Sequence, residues 1–266
     1  MRWVKIGAGN YPMLTPSTSP SILVTGAAKR VGAVIARTLH AAGANVIVHC
    51  NRSRAEADAL VKELNAARSK SASVLQGDLL AYNALKGLID QAASAFGRLD
   101  GLVNNASTFY ATPVGSIDED NWNDLIDSNL KAPLFLSQAA APYLKKTQGS
   151  IVNIVDIHAE RPLKDFVVYS IAKAGLAGLT RSLAMELGPE VRVNGVSPGA
   201  ILWPDAGKSG GKAFPEAEQA RIVGQTPLKR IGTPDDIARA VKYLMLDAPF
   251  VSGQIIAVDG GRSVSL

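Results

Sequence analysis

Seven short apolar runs, at residues 22–25, 45–49, 73–76, 101–104, 150–155, 191–196 and 254–258, alternate along the chain with longer amphipathic stretches. Most of the runs are continuous and β-branched, as a parallel strand requires when both of its faces are covered. Helical spacing marks the stretches between them, at 33–42, 54–68, 84–95, 119–145 and 167–187. Thr233-Pro234-Asp235-Asp236 reads as a further helix start, a Thr N-cap before proline with acids in the opening turn. Strand–helix alternation with right-handed crossovers leaves few topologies, so the expected fold is α/β: a Rossmann-type doubly wound parallel sheet of about seven strands. In such sheets ligands bind beyond the carboxyl ends of the strands.

No polar gap long enough to be a linker interrupts residues 21–266, which read as one domain. Residues 1–20, with three prolines and a Thr/Ser-rich stretch, read as a loose N-terminal extension. Residues 202–225 break the rhythm with glycines, two prolines and mixed charge. They read as a partly helical lid over substrate, with a plain surface insertion as the alternative. Lys and Arg outnumber Asp and Glu by 28 to 23, an excess too scattered for a nucleic-acid stripe. Cys50 is the single cysteine, and His40, His49 and His158 lack zinc-ligand spacing, so neither a disulfide nor a metal site is expected. A reducing cytoplasm fits that usage. No apolar run reaches the roughly 18 residues of a bilayer span, so no membrane partner is expected.

The first run leads into Thr25-Gly26-Ala27-Ala28-Lys29-Arg30-Val31-Gly32, a turn of small residues that opens a helix. Its backbone can approach a pyrophosphate, and the helix N-terminus offers N–H groups and a positive dipole. Alone the turn is a weak signal; its place after the first strand makes it stronger. The second run ends His49-Cys50-Asn51-Arg52-Ser53, with no acid before Glu56 to hold a ribose 2′-hydroxyl. Arg52 and Ser53 suit a 2′-phosphate instead, so the expected cofactor is NADPH/NADP rather than NADH. The alternative is that Arg52 only decorates a helix start. Asp78, after the third run, reads as an acceptor for the adenine amino group or as a turn-former, and both can hold.

These residues belong to a larger set in one order: the Thr25–Gly32 turn, Asn104-Asn105-Ala106, Asn129, Tyr169-x-x-x-Lys173, Pro198-Gly199 and Val258-Asp259-Gly260-Gly261. Over nearly all of residues 21–266 the chain resembles the short-chain dehydrogenase/reductase family. Two departures are informative. The usual middle glycine of the turn is Arg30, and the usual catalytic serine, thirteen residues before the tyrosine, is Asp156. Both look like the pteridine reductase branch, as do His49-x-x-Arg52-Ser53 and the run from Asn104 to Tyr110 with Ser107, Thr108 and Phe109. The resemblance implies that Gly26, Lys29, Arg30, Val31, Gly32, His49, Asn51, Arg52, Ser53, Asp78, Leu79, Asn105, Ala106, Ser107, Tyr169, Lys173, Pro198 and Gly199 surround the cofactor. It implies that Lys173 binds the nicotinamide ribose, that Asn129 holds a relay water, and that the chain forms a homotetramer.

Hydride transfer to a C=N bond leaves a nitrogen that needs a proton. Four-residue spacing puts Tyr169 and Lys173 on one helix face, where a lysine ammonium is expected to ease release of the phenol proton. Taken alone such a pair usually means nothing; within the full set it reads as catalytic. Asp156 ends the fifth run. An ionised carboxylate accepts from N–H groups rather than donating to a carbonyl, which favours pterins, rich in N–H, over simple ketones. The resemblance pairs Asp156 with Tyr169 in protonating the ring. A strand-end aspartate capping the next turn is the competing reading. Phe109 is expected to stack on a flat heterocycle, and the resemblance implies that use with Ser107 bonded to the ring; packing of Phe109 on the core is the alternative. Arg30 reads as bridging ring and phosphates, or as a purely cofactor-binding cation. The expected activity is therefore NADPH-dependent reduction of a dihydropterin, with oxidised pterin or dihydrofolate as further substrates. Its rivals are a carbonyl reductase of the same fold, acting on a 3-oxoacyl thioester or similar compound, and a non-catalytic NADP-binding sensor.

Overall fold

The computed structural model describes residues 19–203 and 215–265. Residues 1–18, most of the expected extension, and 204–214, the middle of the expected lid, lie outside the described residues.

Alternating apolar runs and helices resolve into one seven-stranded parallel sheet of order β3-β2-β1-β4-β5-β6-β7. Its strands are β1 (Ser21–Val24), β2 (Asn45–Cys50), β3 (Ala72–Gln76), β4 (Gly101–Asn104), β5 (Ser150–Ile154), β6 (Arg192–Pro198) and β7 (Ile255–Val258). Each lies within two residues of its expected bounds at either end. Strand order reverses between β1 and β4, whose pairing runs from Ile22↔Gly101 to Val24↔Val103. The crevice at that switch point, beyond the carboxyl ends, is the binding position of doubly wound sheets.

Period-two alternation explains why the runs are apolar throughout. On one face Ile22, Val24, Val46, Val48, Val103 and Val152 pack on α1 (Arg30–Ala41), α2 (Arg54–Ala67) and α8 (Pro234–Lys242). On the other, Leu23, Ile47, Leu75, Leu102 and Ile151 pack on α3 (Tyr82–Ala95) and α5 (Ala132–Thr147). Two covered faces leave no strand position for a polar side chain except where polar partners meet.

Two helices differ instructively from expectation. α1 begins at Arg30, three residues before the expected start, and its N-cap Lys29 supplies no side-chain hydrogen bond. The stretch expected as one helix from 119 is α4 (Glu119–Ile126), a π-helical turn (Asp127–Lys131) and α5. Pro133, in the first turn of α5, brings no N–H to the ladder. Such π-turns recur at functional sites, and this one carries Asn129. The Thr233 start holds as read: its hydroxyl accepts from Asp236 N–H, and the Asp236 carboxylate accepts in return. Of the lid segment, α7 (Glu216–Gln225) is helical. α6 (Val167–Glu186) carries the Tyr169 and Lys173 pair, and α9 (Arg262–Ser265) is a short turn of helix.

Candidate active site

At the switch point the β1–α1 turn lies against the segment after β4. Gly26 sits at φ +60, and a Cβ there would stand 3.0 Å from the Ala106 Cα. Gly32 is more confined: a Cβ would meet the Gly26 carbonyl at 2.4 Å and Asn105 Nδ2 at 2.6 Å. Asn105 Nδ2 in turn donates to the carbonyls of Thr25 (2.8 Å) and Gly26 (3.2 Å). Thr25, which the sequence reading left out of the site, is the pin: its hydroxyl donates to the Val103 carbonyl and accepts from the N–H groups of Asn105 and Ala106. α1 thus presents its N-terminus, with no cap from the Lys29 side chain, over a turn too close-set for a Cβ. A dinucleotide pyrophosphate fits that cradle.

His49 is expected at the cofactor but is only 2% exposed and faces inward. Its Nδ1 accepts from Gly26 N–H (3.2 Å), so its Nε2 carries the proton toward the Gly77 carbonyl (3.2 Å). Burial pushes its pKa down to about 4, against smaller upward pulls from the Gly77 carbonyl and Asp78. It braces the turn as a neutral ring. Arg30 occupies a left-handed conformation, φ +53, where the family's usual glycine would sit without strain. Its guanidinium donates to the Trp203 carbonyl (3.3 Å), crossing the cleft to the start of the expected lid. Val31 is half-buried beside it.

At the adenosine end Asn51 and Arg52 are exposed and Ser53 half-exposed, with the Asn51 carbonyl held by Gln76 Nε2 (2.8 Å). Glu56, the first acid of this region, is ion-paired to Lys29 at 2.5 Å. Lys29 therefore offsets the charge of that acid. Asp78 caps its own turn, accepting from Leu80 N–H (3.0 Å), so the turn-forming reading holds; Leu79 beside it is buried. Pro198 and Gly199 close the far side, Gly199 N–H bonding to the Val258 carbonyl.

The chemical groups converge beyond β5. Tyr169 Oη donates to Asp156 Oδ2 at 2.8 Å, while Asp156 Oδ1 accepts from His158 N–H at 2.9 Å. The turn-capping reading of Asp156 holds, since one oxygen caps the 3₁₀ turn Ile157–Ala159, while the other engages the phenol. Lys173, 2% exposed, donates to the Ile154 carbonyl (3.0 Å), and its Nζ lies 5.6 Å from the Tyr169 ring centre. Burial lowers the Lys173 pKa to about 8, though Asp156 pulls it upward. Burial first, then the Asp156 carboxylate, push the Tyr169 phenol well above 10, so it holds its proton rather than releasing it easily.

Asn129, 1% exposed, is a brace. Its Nδ2 donates to the carbonyls of Leu125 (2.9 Å) and Thr108 (3.0 Å), and its Oδ1 accepts from the Ser107 hydroxyl (2.6 Å). The side chain so committed fixes the Ser107–Thr108 segment; Thr108 also meets the Ser128 hydroxyl at 2.5 Å. Phe109 stacks on Phe166 (centroids 4.6 Å, 16° between planes) and meets Tyr169 edge-on at 4.8 Å. One face of Phe109 is thus taken by Phe166, which sequence reading missed because nothing in its local pattern marks it. Behind the site a buried polar chain, Asn104–Asn153–Thr180, ties β4 and β5 to α6. Among the described residues no three His, Cys, Asp or Glu side chains converge as a metal site, and no helix is long and apolar enough to cross a membrane.

Residues 26–263 match a family model described as enoyl-(acyl carrier protein) reductase. Pteridine reductase 1 of Leishmania tarentolae is 37% identical over 95% of this chain and 99% of its own length. An uncharacterized oxidoreductase of Methylorubrum extorquens is 39% identical over 90% of this chain and 96% of its own. A 3-oxoacyl-[acyl-carrier-protein] reductase of Staphylococcus aureus is 34% identical over 91% and 97%. With its sheet order, its phosphate turn and its Asp156–Tyr169–Lys173 cluster, the chain belongs to the short-chain dehydrogenase/reductase family, as an NAD(P)-dependent reductase.

Proposed function

We propose that this protein reduces a dihydropterin with NADPH, and that its Asp156–Tyr169 pair handles the proton. The observation that carries the reading is the 2.8 Å hydrogen bond from Tyr169 Oη to Asp156 Oδ2 at the carboxyl edge of the sheet. A carbonyl reductase needs donors aimed at a carbonyl oxygen, whereas Asp156 supplies an acceptor suited to a ring N–H. The relative named pteridine reductase 1 supports the same reading.

A nicotinamide cofactor held at the phosphate turn would supply a hydride for the C=N carbon. Tyr169 keeps its proton on Oη and delivers it to the ring nitrogen as that atom gains its electron pair. Asp156 orients the phenol and accepts from the ring's N–H groups. The Lys173 ammonium offsets the phenolate charge left behind. Phe109, braced by Phe166, forms a flat wall beside Tyr169. Arg52 and Ser53 favour the 2′-phosphate of NADPH, and the Lys29–Glu56 pair removes the competing acid. A homotetramer is part of the proposal.

The second reading, reduction of a 3-oxoacyl thioester, draws on the Staphylococcus aureus relative. One assay separates the two. NADPH oxidation with 7,8-dihydrobiopterin, and little with acetoacetyl-coenzyme A, is expected; the reverse pattern sinks the pterin reading. Tight NADP binding with neither substrate turned over would leave a sensor.

A further inference from the structure

The loop that follows Asp156 carries a second feature that the chemistry above does not use. A cleft of about 390 Å³ is lined by His158, Arg161, Lys164, Arg221 and Arg262, with Pro162 and Leu163 as its apolar wall. Five basic side chains and no acid line it. Arg221 is already committed, forking onto Glu218 and donating to Gln225. Arg161 and Lys164 are exposed, and among the described residues neither has an ion pair or a side-chain hydrogen bond.

Arg262 is the unusual member. It is 5% exposed, yet the only hydrogen bond of its guanidinium among the described residues is a long one, 3.4 Å from Nη1 to the Ile222 carbonyl. A guanidinium has five N–H donors, and a buried one without an ion-paired carboxylate is costly to keep. Burial, and after it the neighbouring Arg221 charge, lower its pKa. Asp156, Glu218 and Asp259 act on it in the opposite direction, but none lies within ion-pair distance. His158, which lines the cleft, donates its backbone N–H to Asp156 Oδ1 at 2.9 Å, and this contact places the cleft beside the chemical centre.

We propose that this cleft is an anion subsite for the tail of the substrate: a ring held at Asp156 and Tyr169 carries a carboxylate-bearing tail that Arg262, Arg161 and Lys164 receive. The proposal rests on the pterin reading and names its preferred substrates as pterins with an anionic, glutamate-like tail. A phosphate on a pantetheine arm shares the same chemistry, so the test must separate the two.

The test measures kcat and KM with NADPH for three substrates: 7,8-dihydrofolate, 7,8-dihydrobiopterin, whose tail is uncharged, and acetoacetyl-coenzyme A. Wild type is compared with Arg161→Ala, Lys164→Ala, the double variant and Arg262→Met. The double variant should raise KM for dihydrofolate about tenfold, as loss of charge-assisted contacts does, and leave dihydrobiopterin within about twofold. Arg161 and Lys164 lie on the surface, so these variants test the subsite even if Arg262→Met does not fold. Equal effects on both pterins, or none on dihydrofolate, would overturn the subsite while the pterin reading stands. Activity confined to acetoacetyl-coenzyme A, weakened by the same variants, would overturn both and assign the cleft to a phosphate.

Discussion

His49→Gln tests the link between the phosphate turn and stability. The neutral imidazole joins Gly26 N–H to the Gly77 carbonyl, and burial lowers its pKa to about 4. In the unfolded chain the ring titrates near ~6.5, so between these values the unfolded state binds more protons. Stability from this group is full above pH ~6.5 and is lost as pH falls toward about 4. Between pH ~7 and ~5 the loss works out at about 2 kcal/mol, most of the roughly 3 kcal/mol available in full. Urea unfolding at the two pH values measures it directly. Glutamine keeps an acceptor and a donor without a titrating ring. His49→Gln should therefore cost about 1 kcal/mol at pH ~7 but lose about 2 kcal/mol less than wild type on acidification. Equal pH dependence in the two proteins would refute the assignment of a buried neutral His49.

Other outcomes follow from the same geometry. Tyr169→Phe should lower kcat by about a hundredfold or more while NADPH affinity, read by fluorescence titration, stays within about threefold. Because burial holds Lys173 near a pKa of about 8, kcat/KM should fall on the alkaline side of that value as the ammonium is lost, and Lys173→Met should remove activity at every pH. The same depression means that burying charged Lys173 costs about 3 kcal/mol below pH ~8, relieved as pH climbs toward ~10.5. Gly32→Ala, whose Cβ would press on the Gly26 carbonyl, should destabilise by about 1–3 kcal/mol and weaken NADPH binding more than tenfold. Thr25→Val removes the acceptor for two backbone N–H groups and should lower stability by about 2 kcal/mol in thermal or urea melts.

The sheet was legible because each strand is buried on both faces, which writes a continuous apolar run into the sequence. Helix ends were less so. α1 starts inside the phosphate turn, where Gly32 lies close to Gly26 and to Asn105 just past the neighbouring strand, and that second contact is not local in sequence. The π-turn at Asp127–Lys131 leaves no local signature beyond Pro133, so the sequence across α4 and α5 reads as continuous helix. Tyr169, Lys173 and Asp156 were visible as a motif, but the state of the phenol was not. Spacing places Lys173 one turn away; only the fold shows Asp156 nearer, at 2.8 Å, and the phenol held in its protonated form. His49 and Asn129 were visible as polar residues in motif positions, and only their inward hydrogen bonds reveal them as braces. Arg262, just past the closing glycines, gives no signal at all because its meaning lies in its burial in the wall of a basic cleft.

The central claim is that the carboxylate of Asp156, not merely the Tyr169 phenol, makes this site suited to a nitrogen heterocycle. Its most direct test is the turnover of 7,8-dihydrobiopterin by Asp156→Ser, measured beside NADPH affinity in the same preparation. The account predicts a fall in pterin kcat of about a hundredfold with NADPH affinity within about threefold, as expected when one proton-handling group is removed. An unchanged pterin rate in Asp156→Ser would contradict it.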